Sequence, residues 1–244
     1  MLIREGEQRA LGIDIRLAAL FAAIAGSLNA AGFQSTGFFS ANMTGNVSAL
    51  SDHLGQGQLG PAALFGTLIA IFISGAFVSG ALIETGRKRG VRAIYAYSIV
   101  LEAILLILLG AAGMLVPGVR TGQALVLGLS FIMGLQNAAT TRISNARVRT
   151  THISGMATDI GLGVAALFFP SPNRSDAIAR LKLHLCTTFS FLAGGIAGVA
   201  LYLRIGGLLL ILCAAVLLTL SLPEARRASR MYSDPEAAIV VGYQ

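Results

Sequence analysis

Long apolar runs, separated by short polar and basic tracts, dominate the chain from end to end. Six of them approach the roughly 20 residues that a helix needs to cross a hydrocarbon core about 30 Å thick. They run Arg16–Gln34, Pro61–Ile83, Ala93–Leu115, Gly122–Thr141, Ile178–Leu203 and Gly206–Leu222. Two further apolar stretches, Met43–Leu54 and Ser154–Phe169, are shorter and open with Thr, Ser, Asn and Gly. Their length suits half-helices or re-entrant segments rather than full crossings.

The basic residues test that division. If only the six long runs cross and the N-terminus is cytoplasmic, all but Arg120 and Arg204 of the 18 lysines and arginines fall on the cytoplasmic side. They form five tracts: Arg4, Arg9 and Arg16; Arg87 to Arg92; Arg142, Arg147 and Arg149; Arg174, Arg180 and Lys182; and Arg226, Arg227 and Arg230. Eight crossings would split them almost evenly, so the excess of Lys and Arg in cytoplasmic loops selects six, with both termini inside. The expected location is a bacterial inner membrane.

Composition agrees. Hydrophobic residues make up 55% of the 244 positions and charged residues only 12%, with a mean hydropathy of +0.76, far from the roughly one-quarter charged residues of soluble domains. The net charge of +7 would suit nucleic acid, but the cations lie in the inter-span tracts where membrane topology puts them. Ahead of the first run stand Arg4, Glu5, Glu7, Arg9, Asp14 and Arg16, with no signal-peptide cleavage pattern, and an uncleaved first helix is expected. Cys186 and Cys213 sit in apolar stretches without metal-ligand spacing and read as small buried hydrophobes. Trp is absent, which leaves Tyr95, Tyr97, Tyr202 and Phe for any interfacial belt.

The two halves repeat. Asn29-Ala30-Ala31 matches Asn137-Ala138-Ala139, Asn42-Met43-Thr44-Gly45 matches His152-Ile153-Ser154-Gly155, and Phe72-Ile73-Ser74-Gly75-Ala76 matches Phe191-Leu192-Ala193-Gly194-Gly195. Each half holds three crossings and one short element, and an odd number of crossings turns the second half over relative to the first. The predicted fold class is therefore an all-α membrane protein of about six transmembrane helices plus two short re-entrant helices, arranged as two inverted repeats. The expected divisions are a cytoplasmic segment 1–15, repeats 16–116 and 117–222, and a cytoplasmic tail 223–244. Inverted repeats with interrupted helices are an architecture of many secondary transporters.

The polar segment from Gly32 to Asn46 has to be buried in protein or line a wet cavity, because its backbone groups find no partners in lipid. Asn42 and Thr44 suit the cap of the first short helix, and Gly45 allows close approach of another backbone or a solute. Thr150, Thr151, Ser154 and Gly155 form the corresponding cap in the second half. The bland reading of both is a packing turn; the functional one is a helix N-terminus directed at a solute. Glu102, inside the third span, and Asp159, in the second short helix, are intramembrane acids and candidates for proton or cation coupling. Their structural alternatives are a hydrogen bond between helices and a helix-terminus charge. Gly75, Ala76, Ser79 and Gly80, and Gly194, Gly195 and Gly198, suit close helix crossings. His53, His152 and His184 are scattered, and no nucleophile pairs with a base, so neither a metal centre nor an enzyme is expected.

The motifs Gly32-Phe33, Ser40-Ala41-Asn42-Met43-Thr44-Gly45-Asn46, Gly134-Leu135-Gln136-Asn137-Ala138 and Thr150-Thr151-His152-Ile153-Ser154-Gly155 resemble the YoaK-like family of bacterial multi-spanning membrane proteins, a domain of unknown function. The resemblance runs from about Arg16 to Leu222 and implies a membrane protein without naming a substrate. In the family pattern an acidic residue follows the Gly-Phe pair where this chain has Gln34, so the resemblance carries no titratable role to the first motif. Asp159 and Gly161 match the pattern in the second.

Two readings follow. In the first, a small-solute secondary transporter or exporter has substrate-binding residues Asn29, Asn42, Thr44, Gly45, Asn46, Asn137, Thr151, Ser154 and Gly155, with Asp159 and Glu102 for proton coupling. In the second, a non-transporting sensor or assembly factor acts through a protein partner. The implied partners are the lipid bilayer, a small solute and further copies of the chain in a homo-oligomer; no cofactor, metal or nucleic acid is expected.

Overall fold

The structure, a computed structural model, describes residues 10–91, 93–116, 119–169 and 173–233, with the side chains of 119–121 and 227–233 left out. Arg4, Glu5, Glu7, Arg9 and Arg92, and the tail from 234 onward, lie outside the described residues. Among the described residues eight helices follow in order: α1 (Leu11–Thr36), α2 (Met43–Gly55), α3 (Leu59–Lys88), α4 (Ile94–Leu115), α5 (Val119–Ile143), α6 (Ile153–Phe168), α7 (Arg174–Ile205) and α8 (Leu208–Ser233). The all-helical class predicted from sequence holds, and six of the helices are long and apolar enough to cross a membrane.

Length explains why two do not. At 1.5 Å per residue α2 and α6 reach only about 20 and 24 Å, whereas α3 and α7 exceed about 40 Å. Helix ends follow local chemistry. Gly37 closes α1 in the left-handed region, at φ 77°, and donates its N–H to the Phe33 carbonyl, a turn that glycine adopts without a Cβ penalty. Pro61 sits in the first turn of α3, where its missing N–H breaks no helical bond. Several boundaries differ from expectation: α3 runs on to Lys88, α5 begins at Val119 and α7 at Arg174, and two others matter more. α1 begins at Leu11, so Asp14 is helical and buried, and α8 runs through Pro223 to Ser233 rather than stopping at Leu222.

The principal pairings cross between halves. α1 packs on α7, α3 on α5, and α4 on α8, while α2 lies against α3 and α6 against α7. Glycines make the first two crossings close. A Cβ on Gly26 would strike the Phe191 carbonyl, and one on Gly194 the backbone of Ala23. At the matching crossing Gly134 faces the Phe72 carbonyl and Gly75 the Phe131 carbonyl. Gly110 and Gly207 face each other's backbones where α4 meets α8. Without a hydrophobic drive between helices in lipid, such backbone approach supplies the packing. Gly80, also expected at a crossing, faces open space.

α1 and α5 form the centre, with Leu17, Phe21, Leu28, Leu129, Ile132 and Met133 buried beside Tyr95 and Ile99 of α4. α3 and α7 lie outside them, with Ile73, Phe77, Phe189, Leu192 and Ile196 exposed. A surface this apolar suits lipid tails and not water.

Candidate functional site

Both short helices begin partway back along the preceding span. Ala41 donates its N–H to Asn29 Oδ1 at 2.9 Å, and Asn29 lies two turns before the end of α1, about 10 Å back along its axis. In the second half, Thr151 Oγ1 donates to Asn137 Oδ1 at 3.1 Å, with Asn137 equally placed before the end of α5. Matching asparagines thus hold the residue just before each short-helix cap, Asn42 and His152.

The caps differ from expectation. Asn42 does cap α2, accepting from the Gly45 N–H at 3.1 Å, but Thr44 lies within the helix and is exposed. His152 is the N-cap of α6 and makes no side-chain cap bond. Thr150 and Thr151 turn towards α5 instead, and Ser154 is exposed. A Cβ on Gly45 would collide with the Asn42 amide, and one on Gly155 with the His152 ring. The two glycines therefore make room for the cap side chains.

Glu102 is fully buried in α4 and accepts from Gln136 Nε2 of α5 at 2.7 Å. Gln136 Oε1 accepts from Thr150 Oγ1 at 3.1 Å, and Thr150 also lies 3.5 Å from Asn137 Oδ1. A polar chain thus joins Glu102 to the loop before α6. Asn46 is buried in α2 with its Nδ2 unpartnered.

Asp159 belongs elsewhere. Its carboxylate is half exposed and lies 3.6 Å from His184 Nδ1, in a cavity of about 720 Å³ between α6, α7, the start of α1 and the loop after α5. Arg147, Asp176, Arg180 and His184 line the same cavity. Arg147 reaches the buried Asp14 at 2.9 Å, tying that loop to α1. The loop carries Asn145 and Ala146 in the left-handed region, at φ 50° and 63°.

The sequence-predicted site residues therefore divide into three groups. Asn29, Asn42, Gly45 and Asn46 stand at the start of α2; Asn137 and Thr151 stand at the start of α6, with Glu102 of α4 joined to that region through Gln136 and Thr150; Asp159 lies in the cavity. Thr44, Ser154 and Gly155 add no side-chain hydrogen bond to these groups. Gln136, His184, Arg147 and Asp14 were not among the predicted site residues: Gln136 stood in a family motif, Arg147 in a basic tract, and His184 and Asp14 carried no role. Gln136 had one signal, its place beside Asn137; the others meet only through folding. Among the described residues, no three His, Cys, Asp or Glu side chains gather as a metal-binding group.

No curated protein and no solved structure matches the chain. Residues 17–222 match the family described as a protein of unknown function, DUF1275. That match spans most of the sequence and reaches into all eight helices, and the chain belongs to the DUF1275 family.

Proposed function

We propose that this protein carries a small polar solute across a bacterial inner membrane by alternating access, with the two halves acting as inverted repeats. One observation supports the reading above the others: the halves share their helix crossings and differ at their ends. Aligning Phe72-Ile73-Ser74-Gly75 with Phe191-Leu192-Ala193-Gly194 puts His184 opposite Phe65, and aligning Gly45 with Gly155 puts Gly163 opposite His53. At the α6–α7 end these positions line the 720 Å³ cavity. At the α2–α3 end Phe65 meets Phe38 edge-on, with ring centroids 5.6 Å apart, and stacks on His53 at 5.5 Å.

One end is open and its counterpart is filled by rings, as a transporter is when halted on one side of its cycle. The open end carries Arg147, Arg174 and Arg180, so it faces the cytoplasm under the positive-inside rule. The solute path runs between the starts of α2 and α6. There Asn46 Nδ2 is a free donor, and the first-turn N–H groups of a helix have no partner within it. Asp159, at the mouth, and Glu102, in the interior, are the coupling acids.

The test is a thermal-shift screen of the detergent-purified chain against anions, amino acids, weak acids and common drugs, followed by flux of each stabilising solute into proteoliposomes. A solute at 100 times its Kd adds about 2.7 kcal/mol of stability. Stabilisation with flux, both weakened in Asp159→Asn, supports the reading. Silence across the library, or stabilisation without flux, overturns it in favour of a protein that works through a partner.

A further inference from the structure

We propose that Glu102 is a proton-binding site in the membrane interior and that Gln136 and Thr150 relay its protonation to the start of α6. The inference rests on the transport reading for its use in a cycle, but the relay itself is a property of the folded chain.

The surroundings of Glu102 are sparse. It has no exposed surface, Oε1 accepts from Gln136, and Oε2 has no hydrogen-bond partner. Among the described residues no cation pairs with it. α5 presents the neutral Gln136 amide, α8 presents Cys213, which lies near enough to interact electrostatically with Glu102, and α3 meets α4 through Ser79, hydrogen-bonded to Ser98 at 3.2 Å. Cys213 is thus the titratable group facing Glu102 from these elements. Ionisable side chains so placed within a membrane are rare and mark functional sites, proton relays among them.

The hydrogens then decide the geometry. An ionised carboxylate only accepts, a protonated one also donates, and an amide presents an acceptor on one side and donors on the other. With Glu102 ionised, Gln136 turns its NH2 towards Oε1 and its carbonyl towards Thr150, the arrangement in the structure. The single Thr150 hydroxyl hydrogen is then used on Gln136, and the 3.5 Å approach to Asn137 Oδ1 goes without one.

A proton taken from solvent forms an O–H bond at Glu102 and breaks no bond in the chain. If the hydrogen faces Gln136, the amide turns over. Its carbonyl accepts from Glu102, its NH2 donates to Thr150 Oγ1, and the Thr150 hydrogen is released to Asn137 Oδ1. Asn137 then holds both Thr150 and Thr151, immediately before the α6 cap. The first half lacks this device: Leu28 stands where Gln136 stands in the second, and Asn29 is engaged by the Ala41 backbone. Protonation therefore acts on α6 and not on α2.

The experiment uses the full chain in lipid nanodiscs, with Cys186→Ser and Cys213→Ala and a spin label at Ser154→Cys in α6 or at Ser48→Cys in α2, both exposed. Infrared difference spectra across pH read the C=O stretch of a protonated carboxyl. The expected result is a titrating carboxyl band lost in Glu102→Gln, together with a mobility change at 154, and not at 48, over the same pH range. Thr150→Val abolishes the change at 154, and Thr150→Ser, which keeps the hydroxyl, retains it.

Absence of a carboxyl band that depends on Glu102 overturns the proton site. A response at 154 that survives Thr150→Val, or an equal one at 48, overturns the relay. Should Glu102→Gln fail to fold, the Val and Ser variants at 150 still decide the relay, and a band in the parent chain unmoved by Gln136→Leu overturns the assignment to Glu102. None of these readouts involves flux, so a failed transport assay leaves them intact.

Discussion

Replacing Gly194 with alanine puts one methyl group against the backbone of Ala23. Restoring a van der Waals separation of about 3.5 Å requires α1 and α7 to part by more than about 1 Å. Overpacking of this kind costs typically 1–3 kcal/mol, and the upper end applies because the obstacle is main chain and not the tip of a flexible side chain. Alanine returns about 1 kcal/mol through its higher helix propensity. The net loss is about 2 kcal/mol, and a chain of this size then melts roughly 4–8 °C lower.

Thermal unfolding in a mild detergent, followed by circular dichroism, measures the shift, and double variants locate it. Gly26 lies at the same crossing, against the Phe191 carbonyl, so once the helices have parted for one methyl the second adds less than its own cost. Gly75 lies at the other crossing, against Phe131, and Gly75→Ala adds in full, since separated sites are additive within about 0.5 kcal/mol. Gly194→Ala melting at or above the parent temperature, or full additivity with Gly26→Ala, would refute the close approach.

Three further outcomes follow from other parts of the structure. Asn42→Ala removes the α2 cap and destabilises that helix by about 1 kcal/mol; faster amide exchange over residues 43–46, with the rest of the chain unchanged, checks it, and unchanged exchange refutes the cap. Ala146→Gly relieves a left-handed alanine worth about 1–2 kcal/mol, of which glycine's extra unfolded-state entropy removes about half, so stability rises by roughly 0.5–1 kcal/mol in detergent unfolding. Phe65→Ala opens the ring-filled end: in a chain without native cysteines, an impermeant thiol reagent labels Asn46→Cys at least about tenfold faster in its presence, whereas equal rates would show that the rings seal nothing; a tenfold change corresponds to about 1.4 kcal/mol.

The amino-acid sequence by itself determined the class and the elements. Apolar run length separates six long helices from α2 and α6 because the bilayer sets a minimum span, and that signal is local. The paired motifs were legible for the same reason: Asn29 with Asn137, and Gly45 with Gly155, are matches along the chain that need no contact to be seen. Even the close crossings were half visible, in Gly75 and Gly194.

Tertiary structure decided the rest, because a lipid-facing helix and a buried one read alike when both are apolar. Nothing in the sequence pairs Gly26 with Phe191, or places α1 and α5 at the centre. Glu102 was conspicuous as an acid in a span, but its partner Gln136 belongs to another helix and acquires meaning only when α4 and α5 pack. Thr150 and Thr151 read as a cap and bond to α5 instead, since the fold returns the loop to that helix before α6 begins. Asp159 read as part of the repeat motif and lies in a cavity with His184 and Arg180, because α6 lies along α7. Which residues share a site depends on distances between helices, and the chain's local pattern carries no record of those.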